Sequence, residues 1–336
     1  MNNISIIVDK RTELLGILLL ISDYNKNYGF LIEECGNKEY RQKIFTNFSQ
    51  YKNEKAVKLL NQIFEELNFR YDAPVSLFLQ LNDDFTYDKL DDYPFKTRLK
   101  ESQLVLDFLK ELPDFAKTIN FDDYFKSNTN FYKEIIEETN DKVNVKKVVE
   151  FISNFYKIDI SNIKFVINLL PYITNGNFGS HHNDITYSNL GLKKNQIKEL
   201  TFITDIDFGT LILHEFSHSI INPLTSKYSN IPGKAFADIW EQMKLRAYGH
   251  VESIINEHII RAIELFYLKN IIKTPEAMIA YDKKLEFQLS IGFKYVPVCL
   301  ELLENYYIHK DNFGNFEEYF PYLINEFEKA TKKTDK

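Results

Sequence analysis

Leu211-Ile-Leu-His214-Glu215-Phe216-Ser217-His218-Ser-Ile-Ile-Asn222-Pro223 sets an HExxH pattern inside an apolar run compatible with a helix. On an α-helix His214 and His218 stand one turn apart on the same face, so both imidazoles can reach one metal ion. Glu215 is turned by about 100° from His214, which places a carboxylate beside an activated water without obliging it to ligate. Glu215 is the only charged residue between Thr210 and Phe216, and a glutamate on so apolar a face argues against a surface helix with two incidental histidines. The pattern predicts a zinc site with His214 and His218 as ligands and Glu215 as general base. Asp207 is the expected N-cap of this helix, with its start near Thr210. Pro223 should end it soon after His218.

A catalytic zinc ordinarily has three protein ligands and an open position. The chain has two cysteines, Cys35 and Cys299, far apart and outside any CxxC spacing, so the third ligand must be a histidine or a carboxylate. The downstream segment Tyr248–Glu264 offers His250, Glu252, Glu257, His258 and Glu264. If it packs on the HExxH helix, only one of its stripes faces the metal. Glu257, with Ile254 and Ile260 on its own side, suits a partly buried carboxylate best, and Glu252 and Glu264 are the alternatives. Tyr248, His258 and Arg261 are candidate donors to the oxyanion of a tetrahedral transition state. Arg261 reads equally well as a structural ion-pair partner, and His181 and His182 are weaker candidates for the border of a cleft.

Outward from this site the chain reads as a globular protein. Its 336 residues are 44% hydrophobic and 26% charged, enough apolar material for a sizeable core, which excludes fibrous and low-complexity classes. A formal net charge of -7 describes a surface that does not attract phosphate backbones, so no nucleic-acid partner is expected. Leu14 to Ile21 is too short to span a bilayer, and Asp9 and Glu13 do not suit a signal peptide, so a buried helix and a cytoplasmic location are expected. Amphipathic helices are predicted at 54–68 and near 98–112, 131–139 and 143–157. Residues 71–82 fit helix or strand. Lys164 to Leu170 predicts a strand, Thr174 to Gly191 a loop, and Glu199 to Thr204 a second strand. Residues 233–270, with a break at Gly249, and 274–291, 294–307 and 314–330 should be helical. The expected class is α+β, mainly helical with one small sheet. A soft boundary near 158 separates a mainly helical region, 1–157, from the region 158–336 that carries the site.

The blocks His214-Glu-Phe-Ser-His-Ser-Ile-Ile-Asn-Pro223 and Asn256-Glu257-His258-Ile-Ile-Arg261-Ala262 resemble those of a bacterial family of uncharacterised proteins regarded as gluzincin-like zinc metallopeptidases. Val8-Asp9-Lys-Arg-Thr-Glu13-Leu14-Leu15, Tyr51-Lys-Asn-Glu-Lys-Ala-Val57-Lys58 and Tyr71-Asp-Ala-Pro74 are similar to that family's early motifs, so the likeness spans most of residues 5–270. It implies a zincin-like core, zinc on His214, His218 and Glu257, Glu215 as base, and a peptide or protein substrate. Better-known gluzincins commonly carry an acidic residue four positions after the ligand glutamate, where it orients a ligand histidine. This chain has Arg261 there, which leaves Asp238 and Glu241 as weak candidates for orienting His214. The alternative expectation is a zinc-binding protein of the same fold without peptidase activity, acting as a peptide-binding or sensing module. A helical interaction protein with a chance motif is the third.

Overall fold

Leu14 to Ile21 has no polar face, and a helix apolar all round must be buried all round. In the computed structural model, which describes residues 3–24, 38–67, 69–142, 144–158, 162–169, 178–183, 185–191, 205–246 and 248–333, this run belongs to α1 (Lys10–Ile21), buried from Arg11 onward. The Asp9 side chain caps α1 by accepting from the Arg11 amide and pairs with the Arg11 guanidinium at 2.6 Å. Arg11 also donates to the carbonyls of Leu79 and Leu81 at 2.7 and 3.0 Å, so the buried cation is neutralised and hydrogen-bonded.

The chain divides into two compact units, one of residues 1–142 and 161–202, the other of 143–160 and 203–336. This differs from a single cut near 158, because strand pairing draws a central segment back to the N-terminus. In the first unit β1 (Asn3–Ile7) pairs in parallel with β2 (Asn162–Asn168), and Ile7 lies opposite Val166. On the other side β2 pairs in parallel with β4 (Ile185–Gly191), and β3 (Phe178–His182) closes the edge antiparallel to β4. Among the described residues the sheet order is β1-β2-β4-β3. As an inner strand, β2 is buried on both faces at Phe165, Val166 and Ile167.

Of the stretch 174–191, whose polar composition suggested a loop, 178–182 and 185–191 form a pair of strands, and 174–177 and 184 lie outside the described residues. Asn183, in the left-handed region at φ 47°, lies at the turn, and polar residues are tolerated on the edge strand β3. Residues 199–204, where a strand was expected, lie outside the described residues. The helices of this unit include α2 (Lys38–Phe48), α3 (Lys55–Glu66), α4 (Ala73–Phe78), α5 (Gln103–Thr118), α6 (Phe121–Ser127) and α7 (Thr129–Lys142). Segment 73–78 is helix and not strand, with Pro74 in the first turn, where its missing N–H costs nothing.

Among its described residues the second unit is helical. It comprises α8 (Val145–Tyr156), α9 (Asp205–Tyr228), α10 (Trp240–Lys244), α11 (Val251–Tyr267), α12 (Pro275–Ser290), α13 (Val296–His309) and α14 (Phe316–Lys333). Helix α9 carries HExxH and packs on α8, α11 and α14. It starts at Asp205, earlier than Thr210, and runs through Pro223 to Tyr228. The proline removes one backbone donor, but Ile221 and Leu224 on either side of it are buried, and their packing holds the helix together. The helical stretch expected over 233–270 is a single 3₁₀ turn at Gly233–Phe236 followed by α10 and α11, and the break falls at Gly249 as expected.

Gly209 sits where three helices of this unit approach. A Cβ there would lie 3.2 Å from Val148 of α8 and 3.4 Å from Tyr267 of α11. Tyr156 on α8 donates to the Ser217 hydroxyl at 2.7 Å, and this bond anchors the back of the HExxH turn to its neighbour. Helix α11 is buried along nearly its whole length from Ile254 to Tyr267, so any charged residue it carries there needs a partner. The chain as a whole is mainly helical with a small mixed sheet. No helix among the described residues is long and apolar enough to cross a membrane.

Candidate metal centre

Helices α9 and α11 bring His214, His218 and Glu257 together, with a ligand atom from each lying within 4.8 Å of the others. The Nε2 atoms of the two histidines are 3.2 Å apart. Oε1 of Glu257 is 3.4 Å from Nε2 of His218, and Oε2 is 3.9 Å from Nε2 of His214. Glu257 is 6% exposed, and Glu215 is also buried, at 9%. The two predicted histidines and the preferred third carboxylate form one cluster.

Hydrogen bonding fixes which ring nitrogens face each other. Nδ1 of His214 lies 2.6 Å from Glu264 Oε1, and Nδ1 of His218 lies 3.2 Å from Asn222 Oδ1. A carboxylate and an amide oxygen accept, so each Nδ1 carries a hydrogen and each Nε2 is the remaining coordination position. Two imidazole nitrogens at 3.2 Å repel unless a proton or a cation lies between them. Burial alone would depress the basicity of His214. The Glu264 hydrogen bond and the charges of Glu257, Glu264 and Glu215 override burial and push it up to about 9. Burial and the neighbouring His214 lower His218. The pocket demands positive charge at the Nε2 pair.

A tetrahedral ion with ligands at about 2.0–2.1 Å separates neighbouring donor atoms by about 3.3 Å. The 3.2 Å between the two Nε2 atoms and the 3.4 Å between His218 Nε2 and Glu257 Oε1 match that geometry, while Oε2, the oxygen paired with Arg261, stands farther out at 3.9 Å from His214 Nε2. The donor set of two imidazoles and one carboxylate suits zinc among the common divalent ions. The residues present therefore fit a metal ion.

Glu264 orients His214, a role the sequence left open, and it is not a ligand here. Its second oxygen, Oε2, takes the Lys284 ammonium at 3.0 Å. Burial works against ionising Glu264, but Lys284 and His214 hold its carboxyl far below the usual range. Asp238 and Glu241 play no part in orienting it. Asp238 pairs with Lys294 and accepts from Tyr295, and Glu241 is exposed. Glu252 is exposed in the first turn of α11, outside the cluster.

The three candidate oxyanion donors separate. His258 is fully buried among Phe293, Tyr295 and Phe327, with Nδ1 bonded to the Ile254 carbonyl at 2.7 Å, so no substrate atom can reach it. Burial pushes His258 down to about 4, and it stays neutral. Arg261 pairs with Glu257 Oε2 at 2.9 Å and donates to Tyr248 Oη at 3.3 Å. His181 and His182 belong to the first unit. His182 is buried on β3 between Asp91, 2.6 Å from Nδ1, and the Asn183 amide, 2.8 Å from Nε2, whereas His181 is exposed.

Sequence reasoning missed Asn222, Lys284 and the role of Glu264. Asn222 follows His218 by four positions and Glu264 follows Glu257 by seven, so helical spacing puts each on the ligand face, a signal present in the sequence. Lys284 carries no such signal, because it arrives from another helix.

A family model described as Domain of unknown function (DUF4932) matches residues 4–326. No curated protein and no solved structure matches the chain.

Proposed function

The chain belongs to the DUF4932 family, and we propose that it is a zinc-dependent metallopeptidase with a zincin-like core, hydrolysing a peptide or similar amide bond. The observation that carries this reading is the 3.2 Å approach of two imidazole Nε2 atoms whose Nδ1 hydrogens are already taken by Glu264 and Asn222, with the Glu257 carboxylate beside them. Zinc bound there would supply Lewis acidity, polarising a carbonyl oxygen and lowering the pKa of a coordinated water to about 7.

The other roles belong to the chain's own side chains. Glu264 and Asn222 fix the tautomer and ring orientation of the two histidines, and Glu257 contributes the anionic third ligand. Glu215 follows His214 on the same buried turn. It accepts the proton of the attacking water and returns it to the departing amine. Arg261 is engaged with the third ligand, and Tyr248 stands behind it.

Metal analysis of the purified protein beside its His214→Ala variant tests this reading, together with digestion of a mixed peptide library read by mass spectrometry. One equivalent of zinc in the wild type, its loss in the variant, and metal-dependent cleavage are the expected results. A wild type without zinc would sink the proposal. A zinc-loaded wild type that cleaves nothing would replace it with a zinc-binding module that recognises peptides without hydrolysing them.

A further inference from the structure

The carboxylate of Glu257 is shared between two cationic neighbourhoods. Oε1 is the atom nearest His218 Nε2, at 3.4 Å, while Oε2 is 2.9 Å from Arg261 Nη2 and stands 3.9 Å from His214 Nε2. Arg261 lies four residues on from Glu257, on the same face of α11, and its side chain is only 18% exposed. The guanidinium is clamped from two further sides. Its Cζ sits 4.3 Å from the centre of the Phe293 ring, and Nη2 donates to Tyr248 Oη. A planar cation stacked and bonded in this way has little freedom to leave the carboxylate. Glu257 Oε2 is itself sealed from solvent, with the Arg261 guanidinium as its closest charged neighbour and the Tyr248 hydroxyl also engaging the carboxylate.

We propose that Arg261 is a positioning residue that holds Oε2 of Glu257 away from the metal, so that the third ligand coordinates through Oε1 alone and a coordination position stays open for water and substrate. The inference rests on the metal reading above. A carboxylate can bind through one oxygen or two, and in a catalytic site of three protein ligands the second oxygen would occupy the position that chemistry needs. An acidic residue at position 261 would orient a histidine. The arginine restrains the glutamate, and Glu264, one further turn along the same face, takes over the histidine. The two tasks are divided along one stripe of α11.

Cobalt(II), which reports coordination number by the strength of its visible absorption, provides the readout. Apo protein is titrated with cobalt alone. Wild type should take up one equivalent with the intense band of a four-coordinate ion. Arg261→Gln should bind one equivalent with a band several-fold weaker, as Oε2 joins the ion, and Arg261→Lys should recover most of the intensity.

Arg261→Gln removes the arginine partner of a buried carboxylate and is the variant at risk of misfolding, so a charge-balanced pair decides independently. In Glu257→Gln the amide can offer only its oxygen to Arg261, which turns the NH₂ toward the histidines and abolishes useful ligation. In Glu257→Gln/Arg261→Gln the amide is free to flip, and cobalt affinity should recover about 10-fold, the low end of what outer groups contribute to a metal site. An unchanged band in folded Arg261→Gln, or a double variant that binds no better than Glu257→Gln, overturns the inference and leaves Arg261 as a structural ion-pair partner. A wild type that takes up no cobalt overturns the metal reading along with it.

Discussion

Glu264 Oε1 lies 2.6 Å from Nδ1 of His214, and the other oxygen of the same carboxylate is 3.0 Å from Lys284. The carboxylate joins two helices to the imidazole that leads the HExxH motif. Its position determines which nitrogen of His214 faces the cluster, and the ring cannot turn without breaking a buried charge-assisted hydrogen bond.

Removing that hydrogen bond should weaken metal binding without touching a ligand. Glu264→Ala, which leaves no acceptor for the His214 Nδ1 hydrogen, is expected to lower zinc affinity about 10- to 100-fold, measured by competition with a chromophoric chelator. Lys284→Met should cost less, since the hydrogen bond to His214 survives. Wild-type affinity in Glu264→Ala would show that His214 is oriented by packing alone.

Glu215→Gln should keep zinc and fold while losing hydrolysis. The amide preserves shape but cannot accept the proton, and a general base contributes about 10² to 10⁴ in rate. Stoichiometric zinc with cleavage reduced by at least that lower figure is the expected outcome. Equal cleavage by both forms would assign the base elsewhere.

Metal removal should loosen the second unit, whose helices α9 and α11 are joined at the cluster. Zinc held at 100 times its dissociation constant stabilises by about 2.7 kcal/mol, or roughly 5–10 °C in melting temperature for a unit of this size. A chelator should abolish the gain, and His218→Ala should show none. Melting curves that ignore both zinc and chelator would contradict the prediction.

The first unit should show a pH dependence centred on Glu13. This residue is fully buried, accepts from Tyr40 at 2.5 Å, and lies within 3.5 Å of the Tyr132 hydroxyl. Burial raises its carboxyl from 4.5 to about 7, against the lowering effect of those tyrosines. Folding thus favours the protonated form. Its contribution is complete below pH 4.5 and is lost as pH rises through 7, by about 3 kcal/mol in all. Urea midpoints at pH 5 and pH 8 should differ more for wild type than for Glu13→Gln, which stays neutral throughout. Identical pH responses in the two proteins would refute this.

Gly209→Val should test the close approach of α8, α9 and α11. The added branches meet Val148 and Tyr267, and overpacking of this kind costs about 1–3 kcal/mol. Chemical denaturation would reveal it, and an unchanged midpoint would mean that the helices separate freely at this point.

The approach of His214 to His218 was legible because it is a local matter: a spacing of four residues on one helix puts both side chains on one face wherever the helix goes. The buried helix at Leu14–Ile21 was legible for the same reason, as it has no polar side to expose. Glu257 could be chosen by its apolar flanks, yet only the packing of α11 on α9 decides that it, and not Glu252, meets the histidines. The assignment of Glu264 to His214 and of Arg261 to Glu257 depends on the rotation of α11 about its axis, which no spacing within α11 can fix. Lys284, the β3–β4 strand pair hidden in a polar stretch, and the helix that runs on through Pro223 depend on partners distant in the chain. Local periodicity determines which face a residue occupies, whereas the identity of the neighbour on that face is settled when the helices and strands pack.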